Sequence, residues 1–166
     1  MSLIAFFGLA LIIVLSALSP EKFLKDRSLD VFLEPSKEYL REYPDKLLLP
    51  LDLAYEQDGQ RVEIGIEHLP VETLFFDIGR KTIDVFKKEI QTAGTIFVNG
   101  PAGVYENPLF ADGTREVWMA IAKAKGYSVI GGGDSVSATH KFVDPQQIDY
   151  ICTAGGAMVQ FLSGEK

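Results

Sequence analysis

The sequence has few of the residues that form metal clusters, disulfides or nucleophile–histidine catalytic sets. Its 166 residues include one cysteine and two histidines. The single Cys152 excludes an internal disulfide, and no Cys/His cluster has the spacing of a zinc site. Neither His68 nor His140 has the nearby orienting acid that a Ser/His/Asp set requires. We therefore expect both histidines to be solvated rather than catalytic.

Positive charge is also scarce, since 16 Lys and Arg face 23 Asp and Glu, for a net charge of -7. A nucleic-acid surface needs a basic stripe, so nucleic acid is excluded as a partner. A small anion is still compatible with an acidic protein, because a few backbone amides and one cation can hold a phosphate. The low cysteine content makes a reducing, cytoplasmic location the simplest expectation.

Charge is missing altogether from Leu3 to Leu18, "LIAFFGLALIIVLSAL". The run is shorter than the roughly 20 apolar residues of a membrane span. No Lys or Arg precedes it, as one does in a signal peptide. We interpret it as a buried strand, a turn at Gly8 and a buried helix, and we predict no membrane partner. An exported protein with an N-terminal signal is the alternative.

Short apolar runs that alternate with helical patterns dominate the rest of the chain. The run "KLLLPLDLAYE" is followed by a hairpin turn at Asp58-Gly59. Strand–loop–helix units then follow one another, starting at "TLFFDIG", "GTIFVNGP", "YSVIGGGDS" and "IDYICTAGG". Strands without polar alternation are typical of a parallel sheet buried on both faces. We predict a single α/β domain, a doubly wound, mostly parallel sheet of the three-layer, Rossmann-like kind.

Glycine is concentrated where four predicted strands end, at 77–79, 99–103, 131–134 and 154–156. Ligands of such sheets bind outside the carboxyl ends of the strands. Glycine lets backbone amides approach a ligand, and a following helix adds unpaired N–H groups that favour phosphate. No Lys follows "GGGD", so this is not a Walker loop, and the dinucleotide spacing is absent as well. Simple tight turns are the alternative interpretation.

Asp134 is the most informative residue of the "GGGDS" segment. A carboxylate beside a phosphate site repels the ligand unless a cation lies between them, so Asp134 is predicted to contact Mg²⁺ directly or through water. The alternative is a helix N-cap.

Three long motifs occur in order: "TIFVNGPAGVYENPLFADGTREV", "VIGGGDSVSA" and "TAGGAMVQFLSG". Together with the upstream "LLLPLDLAYE", "RVEIGIEHLP" and "FFDIGRKTIDVF", they resemble the C-terminal, nucleotide-binding half of phosphoglycerate kinase, in its archaeal form. The resemblance covers nearly all of residues 45–166. Members of this family transfer a phosphoryl group reversibly between 1,3-bisphosphoglycerate and ADP in glycolysis, with Mg²⁺.

The resemblance implies a role for each motif. The residues that line the adenine pocket would be Phe75 and Phe76. Those around the adenosine would be Asn99, Pro101, Gly103 and Val104. The carboxylate of Glu106 would accept hydrogen bonds from the ribose hydroxyls. The phosphates of ADP or ATP would contact Gly132, Gly133 and Ser135, and the metal would contact Asp134. The transferring phosphoryl group would be stabilised by Gly155 and Gly156, the catalytic residues of the set.

The chain departs from the family pattern in several places. Arg80 stands where proline usually follows "DIG", and Ala154 where "TGGG" is commoner. The domain that binds 3-phosphoglycerate and an upstream phosphate-binding lysine have no counterpart in residues 1–166. We therefore expect a partial C-terminal domain that binds nucleotide but is inactive alone. A non-catalytic nucleotide-binding module is the alternative.

Overall fold

The structure, a computed structural model, describes residues 3–4, 31, 33–69, 71 and 73–164. Its strands are β1 (Leu3–Ile4), β2 (Asp52–Gln57), β3 (Gln60–Gly65), β4 (Phe75–Ile78), β5 (Thr95–Asn99), β6 (Tyr127–Gly131) and β7 (Tyr150–Cys152). Its helices are α1 (Leu33–Glu42), α2 (Arg80–Thr92), α3 (Asp112–Ala122), α4 (Gly133–Phe142) and α5 (Gly155–Ser163). Of the helices in these ranges, none is long and apolar enough to cross a membrane.

Four strands form the parallel sheet that the sequence predicts, in the order β1-β5-β6-β7. Ile96 and Val98 of β5 lie beside Ser128 and Ile130 of β6, and all four are buried. Helices α2, α3 and α4 pack side by side, α2 on α3 and α3 on α4. The α/β class is confirmed. Of the apolar N-terminal run, only the strand Leu3–Ile4 falls within the described residues, and the predicted turn at Gly8 and the helix after it lie outside them.

The strand β4 does not join the parallel sheet, contrary to the prediction made for "TLFFDIG". It pairs antiparallel with β2, in a separate sheet of order β3-β2-β4. A short apolar run carries no signal of strand direction, because direction is set by the partner backbone. Here β2 and β3 form a hairpin whose free edge accepts β4. The turn of this hairpin has Asp58 at φ 52° and Gly59 at φ 75°, as the sequence predicts.

The core lies between the parallel sheet and the helices. Trp118 and Val117 of α3 are fully buried there, together with Ile130 of β6. The helix predicted after "TLFFDIG" is present as α2, and its Ile83 and Ile90 are both buried. Since this packing fixes β5, β6 and β7 side by side, the loops at their carboxyl ends are brought together on one edge.

Candidate nucleotide site

The loops that follow β5, β6 and β7 meet around the side chain of Asn99. A β-carbon placed on Gly132 would lie 2.8 Å from Asn99 Oδ1, and one placed on Gly155 would lie 2.6 Å from the same atom. The loops also bond to one another, since the Gly132 N–H donates to the carbonyl of Cys152 at 3.0 Å. Three of the four predicted glycine segments therefore converge at one place.

Two helices begin at this place with unpaired amides. The first backbone bond of α4 is from Val136 N–H to the carbonyl of Gly132, and that of α5 is from Met158 N–H to Ala154. Five N–H groups in these first turns, which we call the open amides, have no acceptor among the described residues: Gly133, Asp134, Ser135, Gly156 and Ala157. Unpaired amides and the positive ends of two helix dipoles favour an anion.

Two of the glycines expected to give amides to a ligand use them inside the fold. The N–H of Gly132 is bonded to Cys152, and that of Gly155 donates to Thr153 at 3.1 Å. What Gly132 provides instead is its φ of 91°, which non-glycine residues rarely adopt. Gly133 and Gly156 differ, because a β-carbon on either would meet nothing within 4 Å. There is therefore free space beside the Cα of each of these two glycines.

The fourth glycine segment, at 77–79, does not form an anion site. The N–H groups of Lys81 and Thr82, in the first turn of α2, donate to the carboxylate of Asp52 at 2.9 and 2.8 Å. The N–H of Arg80 donates to Glu63 at 3.0 Å. Carboxylates of the protein thus satisfy this helix start, whereas those of α4 and α5 are open.

Asp134 is the second residue of α4, and its exposed carboxylate accepts no hydrogen bond within the described part of the chain. Gly132 holds the N-cap position, so the capping alternative for Asp134 is wrong. No group of three or more His, Cys, Asp or Glu within the described ranges could hold a metal ion. One free carboxylate beside an anion site still suits Mg²⁺, which commonly takes one or two carboxylates and completes its shell with phosphates and water.

The side chain of Ser135 connects α4 to the loop that follows β5. Its Oγ accepts the N–H of Gly100 at 2.7 Å, and the residue is 1% exposed. Gly100 has a φ of 111°, which lets the chain turn sharply after β5. The Ser135 hydroxyl is therefore a structural link, and its contribution to a ligand would come from the amide.

Residues 100–107, which we call the β5 loop, run from Gly100 across the end of α4. Val104 and Glu106 are exposed, while Pro101 and Gly103 are half-buried. A β-carbon on Gly103 would clash with the Asp77 carboxylate, and the Val104 N–H donates to the Phe76 carbonyl at 2.7 Å. The loop is thus packed on β4 and presents Val104 and Glu106 outward.

Phe75 and Phe76 are not brought together. As neighbours on a strand they point to opposite faces of the sheet. The ring of Phe75 contacts Tyr55, with 6.1 Å between centroids, and that of Phe76 contacts Phe110 at 5.0 Å. Only Phe76 lies on the side of the β5 loop and the segment after it. The two rings therefore have different surroundings, and the contact of both with adenine stays a prediction.

A partly buried ion pair supports this loop and was missed by the sequence analysis. Arg61 Nη1 lies 2.8 Å from the Asp77 carboxylate, which also accepts the N–H groups of Gly113 and Ile78. Burial raises the pKa of the Asp77 carboxyl above its ordinary value, and the Gly113 amide and Arg61 oppose that rise. Arg61 and Asp77 are 16 positions apart, and no local pattern joins them.

Comparison with known proteins shows the family to which the chain belongs. The sequence profile of the phosphoglycerate kinase family matches residues 14–165. The chain belongs to the phosphoglycerate kinase family. The Methanopyrus kandleri phosphoglycerate kinase is 41% identical over 145 residues, and the Archaeoglobus fulgidus enzyme is also 41% identical over 145 residues. The crystal structure of phosphoglycerate kinase from Pyrococcus horikoshii superposes with a TM-score of 0.82 at 32% identity.

The match covers most of this chain but a minor part of its relatives. It takes in 87% of the chain and only 36% and 35% of the Methanopyrus and Archaeoglobus enzymes. The Pyrococcus structure is matched over 95% of this chain and 41% of that one. These 166 residues therefore account for about a third of the length of the curated phosphoglycerate kinases they match.

Proposed function

We propose that residues 1–166 form part of the C-terminal, nucleotide-binding domain of a cytoplasmic phosphoglycerate kinase and bind Mg²⁺ with ADP or ATP. The observation that carries this proposal is the set of open amides beside the free carboxylate of Asp134. Five N–H donors and two helix dipoles favour a polyphosphate, and the carboxylate calls for a cation between itself and the phosphates. Because the chain as a whole has a net charge of -7, attraction of a phosphate is confined to these two helix starts.

Different residues would contact different parts of the nucleotide. Gly133 and Ser135 would contact phosphate through their amides, and Asp134 would hold the metal, which neutralises charge on the phosphates when bound. Gly156 would stabilise the transferring phosphoryl group through its open amide, with Gly155 keeping the helix start close to Asn99. On the other side, Val104 would contact the adenosine and Glu106 the ribose.

The chemistry expected of this half is positioning and electrostatic stabilisation. Phosphoryl transfer asks little covalent chemistry of the protein, and fixed N–H donors stabilise charge without reorganising during the reaction. We propose that 3-phosphoglycerate binds to the part of the family's chain that is not matched here. These residues alone would then bind nucleotide without turnover.

The test is a calorimetric titration with ADP, with and without Mg²⁺, of the chain and of Asp134→Asn. We expect Mg²⁺ to strengthen ADP binding and the substitution to abolish most of that gain. Asp58→Asn, which makes the same charge change in the exposed β2–β3 turn, is the matched control. Absence of ADP binding at millimolar concentration would overturn the proposal. Binding with no turnover when a separate triose-binding domain is added would favour a non-catalytic nucleotide module.

A further inference from the structure

Tyr105 is a residue of the β5 loop whose side chain packs against α4. Its side chain is 6% exposed, although Val104 and Glu106 on either side are exposed. Its hydroxyl donates to the backbone carbonyl of Asp134 at 3.3 Å, and its ring meets that of Phe142 edge-on at 6.0 Å. Tyr105 therefore contacts both the first turn and the last turn of α4.

Lys141 holds the same residue from the other side. Its ammonium donates to the Tyr105 carbonyl at 2.8 Å. It also lies 5.4 Å from the ring centroids of both Tyr105 and Phe142, within the range of a cation–π contact. Both the backbone and the ring of Tyr105 therefore contact α4 through Lys141.

The Tyr105 hydroxyl links the segment that carries Glu106 to the turn that carries Asp134. It donates to the Asp134 carbonyl in the first turn of α4, and Tyr105 directly precedes Glu106 in the β5 loop.

We propose that Tyr105 is a positioning residue, whose side chain sets the separation between Glu106 on the β5 loop and Asp134 on α4. The inference rests on the proposed function, in which Glu106 holds the ribose and Asp134 the metal of one nucleotide. A ligand that engages both residues needs them at a fixed separation, and holding that separation beforehand lowers the cost of binding. A ligand that engages only one of them has no such requirement.

The experiment compares two variants. Tyr105→Phe keeps the ring and removes the hydroxyl, and Lys141→Met removes the exposed ammonium that contacts the Tyr105 carbonyl and ring. Tyr127→Phe is the matched control, because the Tyr127 hydroxyl is exposed and bonds to none of the described residues. Two quantities are measured for each chain. One is amide hydrogen exchange without ligand at Gly100 and Val136, with Leu53 of β2 as the reference. The other is the Kd for ADP with and without Mg²⁺.

We expect both variants, and not the control, to speed exchange at Gly100 and Val136 at least about threefold while Leu53 is unchanged. Tyr105→Phe should weaken Mg²⁺–ADP binding about three- to tenfold, as for loss of one hydrogen bond, and metal-free ADP binding much less. An equal loss with and without Mg²⁺ would indicate a merely structural role and overturn the proposal. Unchanged exchange in both variants would also overturn it.

Failure of the proposed function has a different signature. If the unaltered chain bound no ADP, the proposed function would be wrong, and so would the proposed effect of Tyr105 on ADP binding. The exchange measurement needs no ligand, and it decides by itself whether Tyr105 couples the loop to α4.

Discussion

The amide oxygen of Asn99 and the Cα of Gly155 approach so closely that a β-carbon at residue 155 would lie 2.6 Å from Asn99 Oδ1. The same β-carbon would lie 2.9 Å from the Cα of Gly132 and 3.2 Å from its nitrogen. Two of these three neighbours are backbone atoms, which cannot rotate away. The ends of β5, β6 and β7 are therefore packed against one another with no space for a side chain at residue 155.

We predict that Gly155→Ala destabilises the chain by about 1–3 kcal/mol, the usual cost of inserting a methyl group into a packed site. The separation of the two helix starts should increase, so ADP binding should weaken as well. Gly156→Ala is the matched control, since its β-carbon would meet nothing within 4 Å. It should change stability by less than about 1 kcal/mol. Urea unfolding of both variants measures stability, and equal losses would contradict the prediction. ADP titration of Gly155→Ala measures the loss of affinity.

The sequence predicted those parts of the fold that depend on neighbouring residues. The helices, the hairpin turn at Asp58 and the glycine segments at the strand ends all have local signals, such as apolar spacing or a residue that tolerates positive φ. The convergence of the β5, β6 and β7 loops also followed, because parallel strands present their carboxyl ends at one edge. Gly132 and Gly156 could be placed at this edge from the sequence alone.

What the sequence did not predict depends on pairs of residues far apart in the chain. The carboxylate of Asp52, about 30 positions upstream, accepts an N–H group from the first turn of α2. Without that contact, the "DIG" segment looks like the other three glycine segments. The antiparallel pairing of β4 with β2, which brings Phe75 to Tyr55, depends on a strand about 20 positions upstream. Tyr105 was missed because its contacts with α4 are made about 30 positions downstream.

Thr82 tests whether the start of α2 contributes to stability and not to ADP binding. Its Oγ accepts the N–H groups of both Leu51 and Asp52 at 3.0 Å, and the residue is fully buried. Thr82→Val keeps the shape and leaves these amides unpaired, so we predict a loss of about 1–3 kcal/mol. ADP affinity should be unchanged. Thr92→Val is the control in the same helix, because Thr92 is exposed, and it should cost less than about 0.5 kcal/mol. A loss of ADP binding in Thr82→Val would contradict the assignment.

Asp149 should contribute a pH-dependent part of the stability. Its Oδ2 accepts the N–H of Ser128 at 2.8 Å and the Ser128 hydroxyl at 2.9 Å. The Ser128 amide and hydroxyl lower the pKa of the Asp149 carboxyl below its ordinary value of 3.8. A carboxyl with a lowered pKa stabilises the fold above the unfolded-state pKa, and this contribution is lost as the pH falls through the folded-state pKa.

We therefore predict that the stability difference between the chain and Asp149→Asn is largest near neutral pH. It should shrink as the pH falls below about 4. Urea unfolding across this pH range measures the difference. Ser128→Ala, which removes one of the two donors, should reduce the pH-dependent part without abolishing it. A difference that does not vary with pH would contradict the assignment.

Glu106 gives a test of the ribose contact that does not involve the metal. Its exposed carboxylate stands next to the buried Tyr105, on the outer side of the β5 loop. If it accepts hydrogen bonds from both ribose hydroxyls, the chain should bind ADP more tightly than 2′,3′-dideoxy-ADP. Glu106→Gln loses the charge and one acceptor oxygen, so this preference should fall about tenfold, the cost of one hydrogen bond to a charged group.

Competition titrations with the two nucleotides measure the preference, with Mg²⁺ and without it. Because Glu106 is expected to contact the ribose alone, the fall should be the same under both conditions, unlike that for Asp134→Asn. Glu89→Gln, on the exposed face of α2, makes the same change away from the site and should leave the preference intact. If Glu106→Gln keeps the full preference for ADP, the β5 loop does not hold the ribose, and the nucleotide is bound through its phosphates alone.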